Sequence, residues 1–162
     1  MTALLNIENL SVGFISDGQN STAVNNISFR IGHGETVGLV GESGSGKSVS
    51  ALSILRLLPY PTAFHDSGAV FFDDVDLMAQ PERVMRSVRG NRISIIFQEP
   101  MSSLNPLHSI EKQISEIIET HQGLRRAEAR EETLRLLARV GIPNAEKRMS
   151  ALPHELSGGQ RQ

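Results

Sequence analysis

The segment that most constrains the fold of this chain is the glycine-rich run GESGSGKS at residues 41–48. It matches the pattern G-x-x-x-x-G-K-[ST] and lies between an apolar run, TVGLV at 36–40, and a segment of helical character at 47–58. A short, almost wholly apolar run is typical of a strand buried on both faces in a parallel sheet. Glycines after such a strand let successive backbone N–H groups point at phosphate oxygens where a helix begins. The segment therefore predicts an α/β fold with a nucleotide-binding loop.

Two side chains of this loop have defined chemistry in the pattern. Lys47 reaches the β- and γ-phosphates of a bound nucleotide, and the Ser48 hydroxyl is a ligand for Mg²⁺. The expected cofactors are therefore ATP and Mg²⁺. The candidate binding residues are the whole loop: Gly41, Glu42, Ser43, Gly44, Ser45, Gly46, Lys47 and Ser48.

The remaining sequence predicts strands before residue 98 and helices after it. Runs of β-branched and apolar residues predict strands at 4–14, 22–31, 68–72 and 93–97, the first two as a hairpin. Asp73, Asp74 and Asp76 follow a predicted strand and are read as turn residues. We therefore predict two parts, a nucleotide-binding α/β core at 1–97 and a helical subdomain at 98–162.

Two helices are predicted in the second part. In 110–121, Ile110, Ile114, Ile117 and Ile118 have the spacing of one apolar helix face. The charged stretch 125–140 places Leu134, Leu137 and Ala138 on one side and ends before Gly141. Its arginines and glutamates are expected on a solvated face.

Composition narrows the class of protein. With 16 Lys and Arg against 18 Asp and Glu, the formal net charge is −2, which disfavours a nucleic-acid-binding surface spread over the domain. The absence of cysteine excludes disulfides and thiolate metal sites. The five histidines have no metal-ligand spacing, and no apolar run is long enough to span a membrane. The expectation is a cytosolic globular domain.

A second motif, LSGGQ, occupies residues 156–160. Ser157 is a favourable N-cap, and two glycines allow backbone to approach an anion closely at a helix start. Together with the loop at 41–48, this motif resembles the signature of the ATP-binding cassette (ABC) family. The resemblance implies an ABC-type P-loop fold, with a parallel core sheet, an antiparallel β-subdomain and a helical subdomain. It also assigns Ser157, Gly158, Gly159 and Gln160 to nucleotide binding, facing the γ-phosphate held by a second ABC domain.

The same resemblance gives roles to two further residues. Gln98, directly after the apolar run 93–97, is similar to the glutamine that contacts Mg²⁺ and the attacking water in this family, which adds it to the catalytic residues beside Lys47. Its loop touches the membrane-spanning partner in the family. Phe14 corresponds to the aromatic residue that stacks on adenine, a contact that needs only a π-face.

Within the family, the stretches 41–59 and 97–116 are similar to the ATPases of oligopeptide and dipeptide importers, and especially to those that handle microcin C and related peptides. The implied function is ATP hydrolysis that powers peptide uptake, peripherally on the cytoplasmic face of the bacterial inner membrane. The implied partners are membrane-spanning permease subunits, a second ABC domain in a dimer or a tandem, and indirectly a periplasmic peptide-binding protein. No nucleic-acid partner is expected.

Two alternatives remain open at this stage. One is a soluble ABC-type ATPase that acts on nucleic acid or ribosomes, although the long insertions and basic linkers usual in such proteins are absent. The other is a nucleotide-binding fragment without turnover. The sequence stops before the family's Walker B strand, catalytic glutamate and switch histidine, so we expect these 162 residues alone to release no phosphate from ATP.

Overall fold

The computed structural model describes residues 3–97 and 103–161, and it divides into two compact units, Met1–Arg86 and Ser87–Gln162. The predicted boundary after residue 97 remains a prediction. The first unit contains a four-stranded antiparallel sheet in the order β2-β1-β3-β4. Its elements in chain order are β1 (Leu5–Ser16), β2 (Gln19–Ile31), α1 (Lys47–Ile54), β3 (Ala63–Phe72) and β4 (Val75–Asp76).

The predicted hairpin is confirmed and longer than expected. β1 and β2 pair from Leu5 opposite Ile31 to Ser16 opposite Gln19, around a turn in which Asp17 and Gly18 have positive φ. A bulge interrupts the pairing near Asn9, where φ is 50°, a conformation that asparagine tolerates better than most residues. The most buried side chains in and beside the sheet are apolar, with exposed fractions of 1% or less at Ile7, Leu10, Val12, Val70 and Leu77.

Two predicted strands of the parallel core are not formed by the described residues. Residues 36–40 have no strand assignment, and residues 93–97 make only one isolated parallel bridge, between Arg89 and Ile93. The exposed fractions of Val40 and Ile96 are 90% and 91%. A parallel strand exists only beside a hydrogen-bonded neighbour, and no strand among the described residues pairs with either run. Apolar composition alone was therefore insufficient to predict these two strands.

α1 is also shorter than the predicted segment 47–58. It begins at Lys47 and ends at Ile54, and Arg56 follows in the left-handed conformation with φ of 52°. The buried hydroxyls of Ser50 and Ser53 donate to the carbonyls of Gly46 and Val49, at 2.9 and 2.7 Å. These bonds satisfy polar groups that would otherwise be buried without partners.

The second unit is helical among its described residues, as predicted. α2 (Glu82–Val88) runs across the division between the units, and the elements beyond it are α3 (Ile110–Gln122), α4 (Arg126–Arg139), α5 (Ala145–Arg148), a 3₁₀ turn (Pro153–Glu155) and α6 (Gly158–Arg161). The Ser109 hydroxyl caps α3 by accepting from the N–H of Lys112, and Gly123 ends it with φ of 67°.

The apolar faces of α3 and α4 were predicted in part. Ile110 and Ile118 are buried as expected, but Ile117 is 57% exposed because it lies at the edge of the stripe. In α4 the buried positions follow a strict four-residue spacing, Ala129, Thr133 and Leu137, so Ala138 is exposed rather than buried. Among the described residues, no helix is long and apolar enough to cross a bilayer.

Gly68 provides a test of the sheet. Its φ is +100°, and a Cβ there would lie 2.5 Å from Cα of Leu10 and 2.7 Å from the backbone of Asn9. We expect Gly68→Ala to lower the free energy of unfolding by about 2–4 kcal/mol, since overpacking and a strained backbone add. The measurement is urea unfolding of the complete protein.

Gly34→Ala is the matched control for this substitution. Gly34 has φ of +70° but open space where a Cβ would be, so it carries only the conformational cost, about 1–2 kcal/mol. Equal losses in the two variants would contradict the close approach of β1 and β3.

Candidate functional site

The loop 41–46 lies directly before α1 and curls back on itself. The N–H of Ser45 donates to the carbonyl of Glu42 at 3.2 Å, and the N–H of Ser50 donates to the carbonyl of Gly46 at 2.8 Å in the first turn of the helix. Gly46 is the N-cap, with φ of 86°, and a Cβ there would lie 2.6 Å from the carbonyl oxygen of Ala23. The second glycine of the pattern is therefore required both by backbone conformation and by space.

The Lys47 ammonium is held inside this loop. Its Nζ atom donates to the carbonyl oxygens of Gly41 at 2.8 Å and Glu42 at 2.6 Å, and to the hydroxyl of Ser45 at 3.2 Å. An ammonium group has three donors, and all three have an oxygen partner here. The sequence pattern predicted that Lys47 would reach phosphate but gave no indication of these partners.

The arrangement fits a polyphosphate. A cationic nitrogen lies against the backbone at the N-terminus of a helix, where N–H groups and the helix dipole favour negative charge. The loop residues from Gly41 to Ser45 are exposed to solvent, as is Ser48. Among the described residues, no group of His, Cys, Asp and Glu side chains forms a separate metal centre.

The LSGGQ segment is built in the second unit. Leu156 is 6% exposed and packs in a buried cluster with Ile110, Leu137 and Met149. Ser157 and Gln160 form reciprocal bonds: the N–H of Ser157 donates to Oε1 of Gln160 at 3.0 Å, and the N–H of Gln160 donates to Oγ of Ser157 at 3.3 Å. This capping box begins α6 and fixes the orientation of the exposed Ser157 backbone.

The two glycines of this segment have no structural role among the described residues. Gly158 and Gly159 are exposed, and neither has positive φ or any heavy atom within 4 Å of where a Cβ would be. By contrast, Gly46 and Gly68 are fixed by their own surroundings. Because Gly158 and Gly159 have no side chains, another molecule can approach the backbone closely at this surface.

The other predicted site residues are placed as follows. Phe14 lies in β1, half-buried, opposite Ser21 of β2 and Ala63 of β3. Gln98 lies outside the described residues. The structure brings the loop 41–48 together around Lys47, and it places Phe14 in the same unit as that loop and Ser157 to Gln160 in the other unit. The roles of these residues remain predictions.

The loop 41–48 has the sequence pattern and the position at a helix start that are typical of the P-loop class of proteins. The profile of the family described as "ABC transporter" matches residues 24–162, and the chain belongs to that family.

The names of similar curated proteins are consistent with membership of this family. The chain is 61% identical to the Peptidoglycan transport ATP-binding protein YejF of Agrobacterium fabrum and 41% identical to the Oligopeptide transport ATP-binding protein OppD of Bacillus subtilis. The alignments cover 98% and 100% of this chain, but only 29% and 45% of the two relatives. A Putative peptide import ATP-binding protein of Brucella abortus is 49% identical over 98% of the chain and 48% of its own length. The chain thus spans between 29% and 48% of the length of these proteins.

Solved structures show the same fold. The dimeric ATP-binding cassette MJ0796, in a post-hydrolysis state bound to ADP and Pi, matches with a TM-score of 0.77 at 23% identity, over 97% of this chain and 65% of that one. CbiO1 from Clostridium perfringens, part of the transporter complex cbiONQ, matches with a TM-score of 0.70 at 24% identity, over 99% and 58%. The predicted ABC fold class is confirmed.

Removal of the Lys47 ammonium tests whether the loop 41–48 binds nucleotide. We expect Lys47→Ala to weaken ATP binding by the complete protein about tenfold to a hundredfold, because a charge-assisted contact contributes roughly 1.5–3 kcal/mol. The measurement is equilibrium nucleotide binding by calorimetry. Lys112→Ala removes an exposed ammonium from α3 and is the control that should bind normally. Unchanged affinity in Lys47→Ala would refute the assignment of the loop.

Proposed function

We propose that the complete protein is an ATPase subunit that powers the import of peptides across the bacterial inner membrane. The observation that carries the ATPase part is the Lys47 ammonium held within the loop at the start of α1. The peptide part is supported by the names of relatives such as OppD and the Brucella protein. Because the chain covers only part of these relatives, turnover is assigned to the complete protein and not to the 162 residues alone.

In this proposal the loop binds and orients the phosphates. Lys47 exchanges its contacts with the carbonyls of Gly41 and Glu42 for phosphate oxygens, while the backbone N–H groups of 43–48 donate to the same oxygens. Phe14 stacks on adenine with the exposed part of its ring. Ser48 and Gln98 would hold Mg²⁺, which neutralises charge that develops on the phosphates during transfer.

The LSGGQ segment acts in this scheme on a second ABC domain. Gly158 and Gly159 leave space at the start of α6 that the chain itself does not use, and helix N-terminal N–H groups favour an anion. We assign this space to the γ-phosphate bound by the loop of a second domain, in a dimer or a tandem. Permease subunits, and indirectly a periplasmic peptide-binding protein, complete the proposed assembly at the cytoplasmic face of the membrane.

An assay in cells tests the transport role directly. A strain whose only copy carries Lys47→Ala should lose uptake of labelled oligopeptides while uptake of a free amino acid stays normal. Peptide uptake that persists although the purified variant no longer binds ATP would refute the peptide-import role and leave nucleotide binding intact. Co-purification with ribosomes instead of permease subunits would favour the alternative ABC-type ATPase.

Gln98→Ala separates catalysis from binding. We expect ATP turnover to fall at least tenfold with affinity kept, because the amide meets metal and water only when the site closes around nucleotide. The measurement pairs calorimetry with phosphate release, and Gln122→Ala at the exposed end of α3 is the control. A tenfold loss of affinity with normal turnover would contradict the role.

Gly159→Ala separates folding from assembly. The stability of the protein should stay equal or rise by up to about 1 kcal/mol, because alanine favours a helix more than glycine does. ATP turnover should fall at least tenfold, since the new methyl group occupies the space assigned to the second domain's phosphate. The control is Glu116→Ala on the exposed face of α3. Normal turnover in Gly159→Ala would refute the assigned role of this surface.

A further inference from the structure

The first unit contains a cavity that shares no residue with the nucleotide loop. It has a volume of about 430 Å³ and lies between the end of α1 and β3, lined by Arg56, Tyr60, His65, Asp66 and Met78 among others. Ligand pockets in proteins commonly have volumes from about 300 Å³ upward. The cavity is therefore large enough for a small organic molecule.

One wall of this cavity carries an unsatisfied polar atom. Nε2 of His65 is buried and, within the described ranges 3–97 and 103–161, has no hydrogen-bond partner. The other ring nitrogen, Nδ1, lies 3.3 Å from the hydroxyl of Tyr60. A buried polar atom without a partner costs free energy, and a bound water, ion or ligand would remove that cost.

The protonation of His65 defines what that partner must be. Burial, and secondarily the charge of Arg56, lower the pKa of His65, so the ring is neutral at pH 7 and carries one N–H. The contact with the Tyr60 hydroxyl is compatible with either tautomer of the ring. We assign the hydroxyl as the donor to Nδ1, which places the single ring hydrogen on Nε2. The missing partner is then a hydrogen-bond acceptor.

The positive charge of Arg56 indicates that the acceptor is an anion. Its backbone is left-handed, with φ of 52°, and one guanidinium nitrogen, Nη1, donates to the carbonyl oxygen of Gln80 at 2.6 Å. This bond fixes the planar guanidinium, a group whose fork of donors matches a carboxylate or a phosphate, at the wall of the cavity. Arg56 and His65 line the same cavity.

The remaining lining distinguishes between anions. The exposed Asp66 carboxylate adds one negative charge to the lining, which opposes a dianion such as phosphate more than a monoanion. Tyr60 and Met78 supply apolar surface. These features together favour a carboxylate joined to a small apolar group.

We propose that this cavity is a binding site for a small organic monocarboxylate, whose oxygens accept from the Arg56 guanidinium and from Nε2–H of His65 while its apolar part contacts Tyr60 and Met78. The site is separate from the loop 41–48. It does not depend on the proposed transport function.

The test uses benzoate as the probe and the complete protein saturated with a non-hydrolysable ATP analogue, so that the phosphate loop is filled. ¹⁵N resonances of the histidine rings are followed as benzoate is added. We expect a saturable shift of the His65 resonance and none of His33, whose side chain is 64% exposed elsewhere in the same unit. Calorimetry should show benzoate binding at least tenfold weaker in His65→Phe and unchanged in His33→Phe.

Three results would overturn the proposal. The first is the absence of a saturable shift of His65 in the unmodified protein, which leaves a bound water as the partner of Nε2. The second is inorganic phosphate binding at this site as tightly as benzoate. The third is benzoate binding that His65→Phe leaves unchanged. Because the resonance shift is measured on the unmodified protein, the test stands even if His65→Phe fails to fold.

Discussion

The contacts of the Lys47 ammonium with the carbonyls of Gly41 and Glu42 are the interaction on which the nucleotide site depends. They close a ring between the start of α1 and the first residues of the loop, and they hold a positive charge where the helix dipole also favours an anion. The glycine at 46 makes this curl possible because a side chain there would collide with the backbone of Ala23. The conformation of the loop is thus fixed by contacts within the chain.

The LSGGQ segment at 156–160 differs from the loop in that folding does not require its glycines. Leu156 anchors it in a buried cluster with Ile110, Leu137 and Met149, and Ser157 and Gln160 cap the helix that follows. Its glycines, however, lie on the surface without any steric requirement of their own. Glycine that folding does not require is best explained by a close approach from outside, which is why we assign this surface to a second ABC domain.

Local patterns predicted much of the fold and the position of the loop 41–48 at the start of a helix. The hairpin, α3, α4 and the loop 41–48 depend on residues close in sequence, so turn residues, helix periodicity and a motif were sufficient. The strands at 36–40 and 93–97 depend on hydrogen-bonded neighbours that local sequence does not reveal. The described residues supply only one isolated bridge to these runs, between Arg89 and Ile93. Local sequence also did not reveal the cavity at Arg56 and His65. Its lining residues come from the segment after α1, from β3 and from Met78, and only the tertiary fold brings them together.

Comparison of nucleotide fragments tests the central claim, that the loop around Lys47 binds through phosphate, most directly. Calorimetric titration of the complete protein with ATP, ADP and adenosine separates the contribution of phosphates from that of the base. ATP and ADP should bind at least a hundredfold more tightly than adenosine, a difference of about 2.7 kcal/mol or more. Adenosine binding as tightly as ATP would contradict the account.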